Sequence, residues 1–310
     1  MKIIFFTGKG GVGKSTMAAA AAWQFSQKSR VLIVSLDPAH NLGDIFGITL
    51  KNKEKQFTEN LFLEEVNIQK LSRDYLQREI NVFSDTYKYL QALNLDNYFS
   101  VLKYSPGIEE YALLTSIEET IRNKTDFDYI IFDTPPTGLT LRFLALPRIT
   151  ITWIDQLTRI RKQILKKRYT IYRIRGTSSK EETVLDYDEE DDNVMKRLRR
   201  LSENYHALNK TLQGKDCSVV VVFNPDVLSL RESERLIEGL HDLNLPLRLF
   251  INNKITEENS ELSAETEKSI SRMAKDIPFE RVSLSKTLLD GEKGSLYNIA
   301  EIIISRLQER

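Results

Sequence analysis

Apolar residues gather in five short, nearly unbroken runs along the 310-residue chain. They are "MKIIFFTG" (1–8), "RVLIVSLDPA" (30–39), "FDYIIFDTPPTG" (127–138), "CSVVVVFNP" (217–225) and "PLRLFINNK" (246–254). Each lacks the strict alternation of a half-buried strand, which predicts strands covered on both faces, as in a parallel sheet. Between the runs the apolar period lengthens to that of a helix. "KSTMAAAAAWQFSQ" is alanine-rich, and "SLRESERLIEGLHDL" (229–243) sets Leu230, Leu236, Ile237 and Leu240 on one side. The pattern predicts an α/β fold: a mostly parallel sheet with helices on both faces.

Two stretches break the alternation. Residues 66–125 read as several helices, with Leu71, Tyr75, Ile80, Phe83, Tyr87 and Leu90 at helical spacing. Residues 148–212 read as a second helical region, with Trp153, Leu157, Ile160 and Ile164 in one row. Together they predict an all-helical subdomain inserted into a single domain spanning 1–310. Within the second region "RIRKQILKKRYTIYRIR" (159–175) is basic, and "KEETVLDYDEEDDN" (180–193) is acidic. The stretch 176–193 is expected to be a mobile acidic loop. Opposite charges so close in sequence favour mutual neutralisation or a solvated tip over a membrane or nucleic-acid patch.

Composition narrows the class. Lys plus Arg and Asp plus Glu both number 44, so the chain as a whole has no polyanion-binding character and nucleic acid is not expected as a partner. The single cysteine, Cys217, excludes a disulfide framework within the chain, and the scattered His40, His206 and His241 predict no structural zinc. There is no 18-residue apolar stretch, and the first strand starts at the N-terminus without room for a signal peptide, so a soluble cytoplasmic protein is expected.

The chemistry sits after the first run. "GKGGVGKS" (8–15) fits the phosphate-cradling pattern G-x-x-x-x-G-K-[ST] between a strand and a helix. Gly8, Gly10, Gly11 and Gly13 let backbone amides turn inward around an anion, and the helix N-terminus adds its dipole. Lys14 is expected on the β- and γ-phosphates of ATP or ADP, Ser15 on Mg²⁺, and Thr16 at the α-phosphate. Lys9, Gly10 to Gly13 and Val12 complete the nucleotide-binding set. Asp133 and Asp37 each close an apolar run, where a metal-holding carboxylate belongs. Each is followed by a segment rich in Pro, Gly, Asn and Thr, "DPAHNLGDIFG" (37–47) and "DTPPTGLTLRFLALP" (133–147), expected to act as switches that respond to the γ-phosphate. Asp44, seven residues beyond Asp37, is placed to orient the attacking water.

"GKGGVGKST", with its early lysine, resembles the deviant phosphate loop of the signature-lysine ATPases. "DPAHNLGD", "SPGIEEY" (105–111), "DTPPTGLTLRFLALP", "VVFNPDVLSLRESERLIEGL" (221–240) and "FINNK" (250–254) are similar, in order, to the arsenite-pump ATPase (ArsA) and to the ATPase that targets tail-anchored membrane proteins. The resemblance implies a P-loop NTPase fold, ATP hydrolysis and a face-to-face homodimer. In that dimer Lys9 would reach the nucleotide of the other subunit and neutralise charge developing there. It also implies that Asn252 reads the adenine edge and that residues 282–291 pack beside the base. The chain departs from the pump ATPase in having one cysteine and one copy of the domain. It departs from many targeting ATPases in lacking a C-x-x-C pair, and it is poor in methionine, with only Met195 and Met273 beyond Met17. Three functions stay open. One is an ATPase that binds an apolar client such as a tail-anchored segment, through Tyr75, Phe83, Tyr87, Trp153, Leu157 and Ile160. The second is the ATPase subunit of an arsenite or anion exporter with a membrane partner. The third, less favoured, is a Min- or ParA-type spatial-organisation ATPase.

Overall fold

The computed structural model describes residues 1–39, 41–86, 105–175 and 188–284, with the side chains of 79–86 and 175 left aside. The five apolar runs are strands, shorter than the runs themselves: β1 (Lys2–Thr7), β2 (Val31–Ser35), β5 (Tyr129–Asp133), β6 (Cys217–Phe223) and β7 (Leu247–Ile255). Three further strands, β3 (Lys55–Gln56), β4 (Leu61–Glu65) and β8 (Phe279–Ser283), extend both edges of the sheet. The order is β3-β4-β2-β5-β1-β6-β7-β8, and every pairing is parallel except β3 with β4. The chain forms the P-loop NTPase type of α/β fold, with its mostly parallel eight-stranded sheet and helices.

The helices are α1 (Lys14–Phe25), α2 (Asn41–Phe46), α3 (Ile68–Thr86), α4 (Ile108–Asn123), α5 (Thr137–Arg175), α6 (Asn193–Leu212), α7 (Val227–Asp242) and α8 (Ser260–Met273). Ala18 to Ala22 of α1 are fully buried and join Ile4, Phe6, Ile33, Ile131 and Val222 in one core cluster. Small side chains let this helix lie close to the strands, which sets its N-terminus directly after β1. Ile3 to Phe6 of β1 pair with β5 on one side, and Ile3 to Thr7 with β6 on the other. Thr7 therefore ends in the middle of the sheet, with Asp133 paired beside Phe6.

Two compact units divide the chain. The larger comprises Met1–Leu144 and the residues from Gln213 on; the smaller is Ala145–Leu212. α5 contributes its first residues to the larger unit and runs on through Pro147 into the smaller. In the smaller unit α5 buries Ile154 and Leu165, and α6 buries Met195, Leu198 and Leu208. Arg161 binds Asp192, at the start of α6, through Nε at 3.0 Å and Nη2 at 2.5 Å. Asp192 also accepts from the Met195 amide at 2.8 Å, so one carboxylate caps α6 and anchors α5. Lys162 adds an exposed pair with Glu189 at 3.1 Å. The junction of the basic and acidic runs is thus neutralised locally; residues 176–187 of the expected acidic loop lie outside the described residues.

Candidate nucleotide-binding site

The loop from Gly8 to Gly13 leaves the C-terminal end of β1 and enters α1. Gly11 and Gly13 have φ of +80° and +94°, a region side chains avoid. A Cβ on Gly13 would also strike the Asn253 amide, and one on Gly8 the Val222 carbonyl oxygen. Gly13 caps α1 without a side-chain bond, and the first turn of α1 carries no acidic residue. The first amides of α1 therefore lack intrahelical acceptors, and the dipole favours an anion there.

Lys14 is 4% exposed. Its Nζ donates to the Lys9 carbonyl at 3.2 Å and stands 3.9 Å from Asp37 Oδ2. Burial lowers its pKa, opposed by the charges of Asp37, Asp133 and Glu232. Asp37 Oδ1 accepts from the Ala39 amide at 3.0 Å, which fixes the start of the segment after β2. Asp133 is fully buried, and burial pushes its carboxyl up to about 6 against the pull of the Ser15 and Ser35 hydroxyls and Lys14. Its Oδ2 accepts from Ser35 Oγ at 3.3 Å, whereas Oδ1 has no hydrogen bond of sound geometry.

That orphan has company. Among the described residues six buried side-chain atoms lack a partner, and five of them belong to Thr7, Asp133, Thr137, Asn224 and Asn252. All five residues lie in the last residues of β1, β5, β6 and β7 or just beyond, at the carboxyl edge of the sheet. Buried polar groups are otherwise satisfied, so such clustering marks a place where a ligand completes the bonding. The described residues contain no cluster of three or more His, Cys, Asp or Glu that could cage a metal. Mg²⁺ fits these residues all the same: it takes one or two protein carboxylates and draws its other oxygens from phosphate and water. The unpartnered Asp133 Oδ1, with Asp37 and the Ser15 hydroxyl, meets that need.

The segments expected as switches are more ordered than a loop reading implies. Asp44 lies on the short helix α2 with its side chain exposed, while the neighbouring Gly43 amide donates to the buried Glu65 Oε1 at 2.8 Å. After Asp133, Thr134 Oγ1 donates to the Phe6 carbonyl at 2.9 Å and Thr140 Oγ1 to the Pro135 carbonyl at 2.7 Å. α5 begins at Thr137, so the expected switch segment is helical from 137 on, with Pro135 and Pro136 immediately before the first turn and Pro147 inside the helix. Lys9, half-buried, stands 3.7 Å from Asp226, the residue that caps α7 by accepting from the Ser229 amide. Thr16 is half-buried in the first turn of α1, and Val12 is part of the core cluster.

The "FINNK" end of β7 reaches the site through residues the sequence did not single out. Asn253 Nδ2 donates to the Val12 carbonyl at 2.8 Å, and Lys254 Nζ to the Gly11 carbonyl at 2.6 Å. In a trans peptide the N–H points opposite to the carbonyl, so the Val12 and Gly13 amides face away from Lys254 and Asn253. Lys254 has φ +60°, an unusual conformation for lysine, where the register of β7 against β8 shifts between Asn252 and Ile255. Asn252 is fully buried; its Nδ2 donates to Ser263 Oγ at 2.8 Å and to Glu267 Oε1 at 3.0 Å. Glu267 is in turn gripped by Arg281 through contacts of 2.9, 3.1 and 2.6 Å. Because an ionised carboxylate only accepts, this grip fixes the amide with Nδ2 inward and leaves Oδ1 as the unpaired acceptor. A lone acceptor suits the 6-amino group of adenine and not the 6-oxo group of guanine. Most of the 282–291 stretch lies outside the described residues.

The apolar positions divide between the two units. Trp153, Leu157 and Ile160 on α5 are 65%, 47% and 54% exposed. Tyr75 on α3 is half-buried and stacks on Tyr111 at 6.2 Å between ring centroids. The Phe83 side chain and Tyr87 lie outside the described residues. No described helix is long and apolar enough to cross a membrane.

The family described as "Anion-transporting ATPase" matches residues 1–278. A protein provisionally named arsenical pump-driving ATPase 2, from Aquifex aeolicus, is 29% identical over 261 residues, covering 84% of this chain and 82% of its own. The provisionally named arsenical pump-driving ATPase 1 of the same organism is 30% identical over 249 residues, 76% of this chain and 58% of its own. ATPase get3 of Schizosaccharomyces pombe is 29% identical over 263 residues, 82% and 74% of the two chains.

Proposed function

The chain belongs to the anion-transporting ATPase family and is an ATP hydrolase, and from that premise we propose that it is a homodimer that uses ATP binding and hydrolysis to hold and release an apolar client helix. The observation that carries the client reading is the exposed row Trp153, Leu157, Ile160 and Ile164 on α5. Large apolar side chains standing in water along one helix face mark an interaction site. A tail-anchored membrane segment has the matching chemistry. The metalloid-export reading is favoured by the names of the two Aquifex relatives. Against it, the chain's one cysteine is buried, and burial pushes its thiol up to about 12, so it does not offer a thiolate to arsenite.

In this reading the loop amides and Lys14 hold the β- and γ-phosphates of ATP, and Asn252 accepts from the adenine amino group. Ser15, Asp133 and Asp37 hold Mg²⁺, which supplies charge neutralisation on the phosphate oxygens. Asp44, exposed on α2, orients the attacking water. Lys9 leaves its exposed pairing with Asp226 and crosses to the second subunit's nucleotide. An exposed pair of this kind is worth about 1 kcal/mol or less, so the exchange has little opposing it. Hydrolysis removes the γ-phosphate to which both segments after Asp37 and Asp133 would answer, and the client is released.

A photo-crosslinking side chain at residue 157 of the full chain tests the reading. Capture of an apolar helical segment with ATP, lost with ADP, is expected. Equal capture in both states, or none in either, would overturn it.

A further inference from the structure

The exposed row on α5 is longer than four residues. Trp153, Leu157, Ile160, Ile164, Lys167, Ile171 and Ile174 follow one another at steps of four and three, and every one is exposed. Alternating steps of four and three make the seam of a helix that lies along another helix. The side of α5 that faces inward is a different one, carrying Ile154 and Leu165. The seam spans 22 residues, 153 to 174, or roughly 32 Å at 1.5 Å per residue. That is about the length of an apolar helix of 20 residues, the span of a membrane interior.

One member of the seam is not apolar. Lys167 has Ile164 one turn before it and Ile171 one turn after. Among the described residues its amine has no hydrogen bond or ion pair, whereas Arg161 and Lys162 are bound to Asp192 and Glu189, and Arg173 stands 6.0 Å from the Tyr169 ring. No acidic residue occurs between 159 and 175, so α5 itself offers Lys167 no partner there. A helix docked along the seam would strip water from this amine, and a desolvated cation without a counter-charge is strongly unfavourable. A second copy of α5 would answer it with Lys167 or with the flanking Arg161 and Arg168, which carry the same charge. A client helix with a carboxylate near its middle would satisfy it.

Resting on the client reading of α5, we propose that Lys167 is a specificity-determining residue, which selects apolar client helices that carry an Asp or Glu. A polar residue at one seam position commonly fixes register and partner in helix pairs. Here it would admit an acid-bearing helix and disfavour both a wholly apolar one and one bearing a cation.

The test uses the full chain with Mg-ATP and three synthetic 20-residue Leu/Ala helices. They are identical except for a central Asp, Leu or Lys, and each carries a photo-crosslinker. The expected order of affinity is Asp over Leu by about tenfold or more, with Lys weakest. Lys167→Glu should reverse the order of the Asp and Lys peptides, and Lys167→Leu should favour the Leu peptide. Melting temperatures of the variants show that they fold. If all three peptides crosslink to the seam with affinities within twofold, in the wild type and in Lys167→Glu, the selection by Lys167 is overturned while the client site stands. If no peptide crosslinks to α5, the client reading itself falls.

Discussion

Glu267→Gln separates two jobs done by one carboxylate. Glu267 accepts from Arg281 at 2.6, 2.9 and 3.1 Å and from Asn252 Nδ2 at 3.0 Å. The Arg281 side chain is 69% exposed, so solvent screens the pair and its loss should cost only about 1 kcal/mol of stability. The second job matters more for function. A carboxylate cannot donate, so Asn252 must turn its Nδ2 toward it and present Oδ1. The amide introduced by Glu267→Gln can donate or accept, which lets the facing amides invert together. If Asn252 reads the base, inversion puts a donor where adenine offers a donor and guanine an acceptor. Discrimination by one buried polar contact is worth about 1–3 kcal/mol, so the ratio of kcat/KM for ATP over GTP should fall by roughly 5- to 150-fold. Arg281→Gln is the control: it should lose similar stability, keep an acceptor at 267, and keep the selectivity. An unchanged ATP-to-GTP ratio in Glu267→Gln would refute the base-reading assignment. The pH dependence gives a second check. Burial raises the Glu267 pKa, but the Arg281 and Asn252 contacts more than offset it and hold it below its ordinary 4.5. The unfolded chain then takes up protons first as pH falls, so the stabilisation is present above 4.5 and is lost as pH drops through the lower folded value. The stability gap between wild type and Glu267→Gln should close in that acid range.

Asp133→Asn should stabilise the nucleotide-free protein while ending turnover. Burial raises this carboxyl from 3.8 to about 6, so the folded form binds the extra proton between those values and stability falls as pH rises through them. At about 1.4 kcal/mol per unit, the variant should gain roughly 1–3 kcal/mol at pH 8 and nothing at pH 4 in urea titrations; equal stability at both pH values would count against it. For Lys9, mixing settles which subunit it serves. Lys9→Ala and Asp44→Asn should each bind ATP and turn over poorly, and the mixture should regain activity in sites that combine an intact Asp44 with the neighbour's Lys9. A silent mixture, with heterodimers shown to be present, would rule out action across the dimer.

The sequence determined by itself those features whose cause is local. Unbroken Val, Ile and Phe runs make the central strands, and the pattern from Gly8 to Ser15 reads as a phosphate loop whose positive φ values fall on the glycines themselves. The edge strands were harder to read. "LFLEE" in β4 and "FERVS" in β8 mix charged and apolar residues; β8 pairs with β7 alone, and β4 has β2 on one side and only the two-residue β3 on the other. The length of α5 was also hidden, because "DTPPTG" and Pro147 each signal a break; the prolines at 135 and 136 instead precede the first turn, and the helix runs through Pro147. Tertiary structure alone decided the back of the site. Asn253 and Lys254 touch Val12 and Gly11 across 241 and 243 residues of chain. They do so because β6 alone separates β7 from β1 in the sheet. Strand order is a long-range outcome of how apolar faces pack, and no spacing along the chain encodes it. The same holds for the Arg281–Glu267–Asn252 relay and for the five unpartnered atoms at the carboxyl edge of the sheet. Asp133 stands out in the sequence and Asn252 through the family resemblance, but Thr7, Thr137, Asn224, Glu267 and Arg281 are ordinary there and are brought together only by the fold.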